Sequence, residues 1–279
     1  MTDSLSTHLK GLLKEQFPLF LPLNLRKQLA VWISRQEWMP GRNELSMAMI
    51  RDWADSDIDA FHRFLWSHHV GYANYYEATN DFHRSALLPT RRMLFEALQQ
   101  CLLRQNMVRL TSVESVLDVG CSAGYLLRFM ETCLFPGART LEGIDIDEYA
   151  IENGKAYLNA CSSKIRLVCA DVTNLDQVVE HKYDIVLCAG VLMYLNENAA
   201  AALVQSMLNH SAGLVVITGL AHPLVDNSQL DHSELRSDRA FIHNIDSMVN
   251  AAGGTIVYRR WEGAQTFGGQ TAYFVFCRP

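Results

Sequence analysis

Asp118, Gly120 and Gly124 lie in the stretch VLDVGCSAGYLL, residues 116–127, where an apolar run meets a glycine-punctuated turn. A turn of that kind between a strand and a helix lets backbone N–H groups and the helix N-terminus approach a ligand. Spacing decides which ligand. A dinucleotide turn needs Gly-x-Gly-x-x-Gly, but counting from Gly120 the two further positions hold Ser122 and Tyr125. A phosphate-binding loop needs a closing Gly-Lys-Ser/Thr, and none follows Gly124. What remains is Asp-x-Gly-x-x-x-Gly with the acid inside the strand end. Another set of groups is titratable. His222, His232 and His243 fall in one long polar segment, 219–244, and His69 is followed by Tyr72 and Tyr76. Histidine changes charge near neutral pH, which suits it to general acid–base work.

The elements that must carry these residues differ between the two halves. From Asn24 to about residue 110 apolar positions recur at helical spacing: Leu25, Leu29, Trp32 and Ile33; Leu45, Met49 and Trp53; Ile58, Phe61, Leu65 and Tyr72; Leu94, Leu98, Cys101 and Leu102. This predicts four or five helices, one stopped by Met39-Pro40-Gly41 and the next capped by Ser56 with Asp59. In the same pattern His69, Tyr72 and Tyr76 share one helical face at i, i+3 and i+7. Beyond Thr111 short β-branched runs alternate with helical segments, at 115–119, 141–146, 165–170, 183–189 and 213–219. Such alternation gives a parallel sheet covered by helices on both faces. Two last runs, 254–262 and 271–277, are joined by a glycine-rich turn at 263–270, so the sheet is expected to end in an antiparallel edge pair. The division expected is a helical region over 1–110 and an α/β domain over 111–279.

Composition bounds the partners. The 279 residues are hydrophobic at 49%, enough for a large core. A net charge of −6 without a lysine-arginine run, the doublets Arg91-Arg92 and Arg259-Arg260 being too small to reverse it, argues against nucleic acid. The first residues lack a basic lead and a long apolar block, and no stretch reads as a bilayer span, so neither a signal peptide nor a membrane partner is expected. Seven scattered cysteines, mostly inside apolar runs and not at metal-site spacings, predict reduced thiols in a cytoplasm.

From about residue 113 onward the chain resembles the class I S-adenosylmethionine-dependent methyltransferases, on four motifs in family order. The family's first motif is matched by Asp118-Val119-Gly120-Cys121-Ser122-Ala123-Gly124, with Ser122 where many members carry glycine. The resemblance implies that this turn cradles the methionyl end of the cofactor and that Asp118 orients its ammonium. The next motif is similar to Gly143-Ile144-Asp145-Ile146-Asp147, implying that Asp145 accepts from both ribose hydroxyls, a task suited to a group that only accepts. The third, Cys169-Ala170-Asp171-Val172, implies an acid for the adenine amino group. The fourth, residues 183–195, is similar to the fourth strand, with Cys188 and Ala189 at the cofactor and Met193-Tyr194 toward the acceptor. The fold implied is α/β: a seven-stranded, mostly parallel Rossmann-like sheet with an antiparallel terminal strand, plus an N-terminal helical cap. The cofactor implied is S-adenosylmethionine, with S-adenosylhomocysteine as product.

Methyl transfer from a sulfonium is an in-line displacement, so positioning supplies much of the catalysis and a base is needed only for a protonated nucleophile. The fourth strand ends in Cys188-Ala189-Gly190-Val191, not in the Asn/Asp-Pro-Pro-aromatic signature of nucleic-acid amine methylation, and lacks the carboxylate of magnesium-dependent catechol enzymes. A small-molecule acceptor, of natural-product type, and no metal are therefore expected. His222, His243 and His69 are candidate bases, each weighed against an ordinary surface or core histidine. Tyr72 belongs with them, while Tyr76, Met193 and Tyr194 are candidate acceptor contacts. Trp261, Tyr273, Phe274 and Phe276 read as packing. Two further readings stand beside transfer. One is a cofactor- or product-binding protein without activity, whose helical half binds a partner; an exposed Trp32, Trp38 or Trp53 patch would favour it. The other is a nicotinamide oxidoreductase, which the missing glycines count against. The helical half is also compatible with a homodimer interface.

Overall fold

The computed structural model describes residues 20–104, 113–263 and 271–279. The expected hinge near residue 110 and residues 264–270 of the expected turn at 263–270 lie outside them. Contacts divide the chain into two compact units between Thr79 and Asn80.

The first unit is helical: α1 (Leu23–Ser34), α2 (Arg42–Ile50), α3 (Ile58–Ser67) and α4 (Tyr72–Thr79), with a tight turn over Arg51–Asp55. Phe61 and Leu65, one turn apart on α3, are fully buried with Ala30, Ile50 and Val70. The cap of α3 is Asp57, which accepts from the Ala60 N–H at 2.9 Å, not the expected Ser56 and Asp59. Met39-Pro40-Gly41 does not stop α1, which ends at Ser34; Gly41, left-handed at φ 72°, opens α2. The expected helical face of His69, Tyr72 and Tyr76 does not form. His69 takes φ 55°, Val70 N–H bonds back to Leu65 C=O at 2.8 Å, and Gly71 is left-handed too, so α3 ends in a Schellman cap and α4 starts anew.

Among the described residues the second unit has α5 (Pro89–Arg104), then nine strands: β1 (Ser115–Val119), β2 (Thr140–Asp145), β3 (Arg166–Cys169), β4 (Tyr183–Ala189), β5 (Ser211–Gly219), β6 (Glu234–Leu235), β7 (Phe241–Ile242), β8 (Thr255–Glu262) and β9 (Ala272–Arg278). Its crossovers carry α6 (Tyr125–Phe129), α7 (Glu148–Ala160), α8 (Leu175–Val178) and α9 (Glu197–Asn209), and α10 (Ile245–Ala251) precedes β8. The sheet order is β3-β2-β1-β4-β5-β9-β8, with β6 and β7 a separate pair. Strands β1 to β5 are parallel, and β9 runs antiparallel to both β5 and β8. The two last strands do form a hairpin, but β9 is inserted inside the sheet and β8 alone makes the edge. Inserting β9 is favourable because Tyr273, Val275 and Cys277 fill one face of the sheet while Phe274 and Phe276 fill the other, all at 3% exposure or less.

The pleat sorts the strands into two cores. Val116, Ile185, Leu187 and Val216 face a layer that includes Leu94, Leu98 and Leu102 of α5, so this helix, grouped from sequence with the first half, packs on the sheet. Leu117, Val186, Val215 and Ile217 face α9 and α10. At the carboxyl edge these strands bring Asp118, Asp145 and Ala189 to one end of the sheet, next to the point between β1 and β4 where the strand order reverses.

Candidate cofactor and acceptor site

The turn after β1 is built from three left-handed residues, Gly120 (φ 79°), Ser122 (φ 50°) and Gly124 (φ 85°). Gly120 also has no room for a side chain, since a Cβ there would lie 2.0 Å from Val191 Cγ2. The turn is tied to β2: the N–H groups of Gly120 and Cys121 donate to Ile144 C=O at 2.7 and 3.1 Å, and that of Ser122 donates to Asp145 Oδ2 at 2.7 Å. Ser122, the departure from the family's glycine, is thus held in a left-handed conformation by a bond its backbone makes.

Asp118 is 1% exposed, and neither carboxylate oxygen has a hydrogen-bond partner among the described residues. Burial, then the charge of Asp145, push its carboxyl up to about 7, while Arg91 pulls it down. An orphaned buried carboxylate is costly unless something cationic or donating meets it. Asp145 is buried with Oδ2 on Ser122 and Oδ1 accepting from Asp147 N–H at 2.9 Å. Its carboxyl is pushed to about 6 by burial, against the pull of those two N–H groups. Each oxygen keeps acceptor capacity for a further donor. Asp171 closes the turn after β3, taking Thr173 N–H and hydroxyl at 2.9 and 2.7 Å, with Val172 buried beside it. Ile146 lies between Asp145 and Asp147, and its carbonyl oxygen is 3.8 Å from Cys169 Sγ. Cys121 and Cys188 are buried thiols, the latter raised to about 12, chiefly by burial and then by Asp118. Past Ala189, Gly190 is left-handed at φ 80°, and nothing lies within 4 Å of where its Cβ would be. Space therefore opens past the end of β4, the strand that pairs with β1.

The candidate histidines each have partners within the protein. His243 is 3% exposed, with Nε2 2.8 Å from Leu192 C=O and Nδ1 2.7 Å from Ser233 Oγ. A carbonyl only accepts, so Nε2 carries the proton; burial lowers the pKa of the ring and keeps it neutral. His222 Nδ1 accepts from Leu224 and Val225 N–H at 3.2 and 3.0 Å, which leaves the proton on Nε2, 3.3 Å from Glu234. Both rings brace the segment after β5. His232 is at the surface, and His69 pairs with Glu77 at 3.0 Å in the first unit, where Tyr72 and Tyr76 also lie. Met193 and Tyr194 are half-buried in the turn Leu192–Tyr194 that follows β4.

Three residues the spacing did not single out for the site belong here. Asn227, fully buried, donates to Leu220 and His243 carbonyls at 2.9 and 2.8 Å and accepts from His222 N–H and Trp261 Nε1, each at 2.8 Å. Arg259 reinforces the same segment through Asp226 and Asp246, and Tyr273 donates to Asp246. The signal in sequence is Asp226-Asn227-Ser228, a turn composition. Arg91, held by Asn80 Oδ1 at 2.7 Å and Ser85 C=O at 3.1 Å, is the cation whose field reaches Asp118. Among the described residues no cluster of three or more His, Cys, Asp or Glu is placed to hold a metal, and no helix is long and apolar enough to cross a membrane.

Residues 116–212 match the methyltransferase-domain family, and with this strand order and turn the second unit is a class I S-adenosylmethionine-dependent methyltransferase domain. Among particular relatives, the chain is 31% identical over 102 residues to the ubiquinone biosynthesis O-methyltransferase of Neisseria meningitidis, covering 36% of this chain and 41%, under half, of that protein. It is similar in structure to the magnesium protoporphyrin IX methyltransferase of Synechocystis, solved with bound S-adenosylmethionine (TM-score 0.50, 16% identity, 83% of this chain and 96% of that one). It is also similar to the 1,6-didemethyltoxoflavin N1-methyltransferase of Burkholderia thailandensis (TM-score 0.53, 15% identity, 82% and 89%).

Proposed function

We propose that the protein transfers the methyl group of S-adenosylmethionine to an oxygen, nitrogen or carbon nucleophile of a small molecule, releasing S-adenosylhomocysteine. The observation that carries this is the unpartnered buried carboxylate of Asp118 beside a left-handed glycine turn and the open space at Gly190. When bound, the cofactor supplies an electrophilic methyl on its sulfonium. Asp118 takes its ammonium, Arg91 is the cation at hand for its carboxylate, and the turn Gly120-Cys121-Ser122 with Gly124 cradles the methionyl chain. Asp145 accepts from the ribose, Ile146, Asp171 and Val172 border the adenine, and Cys188 and Ala189 form the floor. Met193 and Tyr194 line the acceptor side. Positioning does the catalytic work here, because a base at His222 requires breaking two backbone bonds and His243 is engaged at both nitrogens. The named relatives act in ubiquinone biosynthesis, on magnesium protoporphyrin IX and on a didemethyltoxoflavin, which supports a small acceptor of biosynthetic type. Seven free thiols fit a cytoplasmic setting. The first unit belongs to the reading as a substrate-side or dimerisation element.

A second reading, a partner-binding protein that holds the cofactor without transfer, is favoured by Trp32 and Trp38, 55% and 74% exposed; Trp53 is buried. Calorimetric titration with S-adenosylmethionine, S-adenosylhomocysteine and NADH in parallel tests the site. Micromolar binding of the two adenosyl ligands alone, about −8 kcal/mol, is the expected result. Binding of NADH instead, or of none, overturns the cofactor assignment. With binding in hand, methyl transfer to a panel of small nucleophiles separates the two readings.

A further inference from the structure

The helical unit carries a groove of its own between α1 and α3, about 390 Å³ in volume, with Lys27, Val31, Trp32, Arg35, Phe64 and His68 on its walls. Lys27, Val31 and Arg35 follow one another at i, i+4 and i+8, so both long basic side chains spring from the same side of the helix, their Cα atoms about 12 Å apart along its axis, Arg35 at its C-cap. Between them the surface is apolar and aromatic. Trp32 is more than half exposed, and Phe64 stacks on the His68 imidazole at 4.3 Å between centroids. Lys27 is preset, its ammonium 3.4 Å over the Trp53 ring.

The sign of this groove opposes that of the molecule. The protein carries a net charge of −6, yet no acidic residue lines the groove and α1 contains none. Among the described residues neither Lys27 nor Arg35 is in an ion pair with a carboxylate. Two uncompensated cations flanking aromatic surface suit an occupant that is flat, apolar and negatively charged at its edge. Guanidinium forks match a carboxylate in two-point contact, and an indole face accepts a ring by stacking. The volume is that of a small ligand, not of a docked helix or strand.

We propose that this groove binds a planar aromatic carboxylate, with Arg35 and Lys27 holding the anion and Trp32 and Phe64 the ring. The site lies wholly in the first unit and does not rest on the methyltransferase reading. The test uses the full chain and naphthalene-2-carboxylate as the probe, followed by calorimetry and tryptophan fluorescence. Its methyl ester removes the charge, inorganic phosphate removes the ring, and S-adenosylhomocysteine reports on the other unit. Saturable binding of the acid is expected, with the ester weaker by about tenfold, the worth of one charge-assisted contact. Arg35→Gln and Trp32→Ala should each weaken the acid by about tenfold while thermal unfolding and the response to S-adenosylhomocysteine stay as in the native chain. The proposal is overturned by an ester that binds as well as the acid, by displacement of the acid by equimolar phosphate, by folded variants that bind like the native chain, or by a native chain that shows no saturable binding. If the native chain takes the acid but not S-adenosylhomocysteine, the cofactor assignment alone fails.

Discussion

His243 donates from Nε2 to the carbonyl oxygen of Leu192 across 2.8 Å, joining the end of the long segment after β5 to the turn that follows β4. The residue before Leu192 is Val191, whose Cγ2 closes on Gly120. A histidine that the sequence offers as a candidate base thus ties this segment to the residue next to Val191, whose side chain lies against Gly120.

Replacing this histidine tests its role. His243→Leu leaves the Leu192 carbonyl and the Ser233 hydroxyl without their partner and should cost about 1–3 kcal/mol for the unmet groups. It should also weaken S-adenosylhomocysteine binding and speed amide exchange over residues 191–195. His243→Gln, whose amide N–H reaches where Nε2 was, should recover most of both. Equal loss in the two variants would show that the ring acts otherwise.

Asp118 makes cofactor affinity depend on pH. Its carboxyl, held up to about 7 by burial, is largely protonated below that pH in the free protein. Meeting an ammonium favours the charged form, so binding should release a proton and strengthen as pH rises through about 7. Calorimetry in two buffers of different ionisation enthalpy counts that proton. The sign for stability is the reverse. The native state binds the proton more tightly than the unfolded chain, so this group's contribution is full below the unfolded pKa and is lost as pH rises toward the folded one. Asp118→Asn should therefore raise the unfolding temperature of the free protein at pH 8 while weakening the cofactor by about tenfold or more.

Gly120 and Gly190 separate a packing requirement from open space. Both have positive φ, so alanine costs about 1 kcal/mol of backbone strain at either. At Gly120 the methyl also collides with Val191, and Gly120→Ala should lose about 2–4 kcal/mol in urea unfolding. At Gly190 the methyl meets nothing, so Gly190→Ala should lose only the strain yet still weaken cofactor binding by intruding on the space it fills.

Asn227→Ala removes a residue that makes four hydrogen bonds at 2.8–2.9 Å. A loss of about 2–4 kcal/mol is expected, with amide exchange over residues 220–244 accelerated far more than over β1 or β4. Uniform acceleration would mean that the segment is not held as one piece.

Much of this architecture is legible in the residues. The runs at 115–119 and 183–189 coincide with β1 and β4, because their β-branched, apolar character is set locally and both faces are covered. The acids near the ends of β1 and β2 are equally plain, since a carboxylate inside an apolar strand is costly unless something meets it. What escapes is whatever a partner decides. Periodicity shows that Leu94, Leu98 and Leu102 make a stripe but not that the stripe faces β-strands. His69 carries no mark of its left-handed conformation beyond the glycine at 71. Neither His222 nor His243 announces in sequence that its nitrogens will be engaged, because their partners, backbone groups, the Ser233 hydroxyl and the Glu234 carboxylate, are brought up by folding.

The insertion of β9 also orders the birth of the domain. β8 touches the sheet only through β9, and β5 has no outer neighbour until β9 arrives. A nascent chain emerging from the ribosome can assemble β1 to β5, but its outer edge stays open until residues 272–278 have cleared the exit tunnel. In that interval β5, nine residues long with Val215, Val216, Ile217 and Thr218 in a row, is an unguarded template for intermolecular pairing, so a chaperone that shields strand edges would serve this domain most between the emergence of β5 and that of β9.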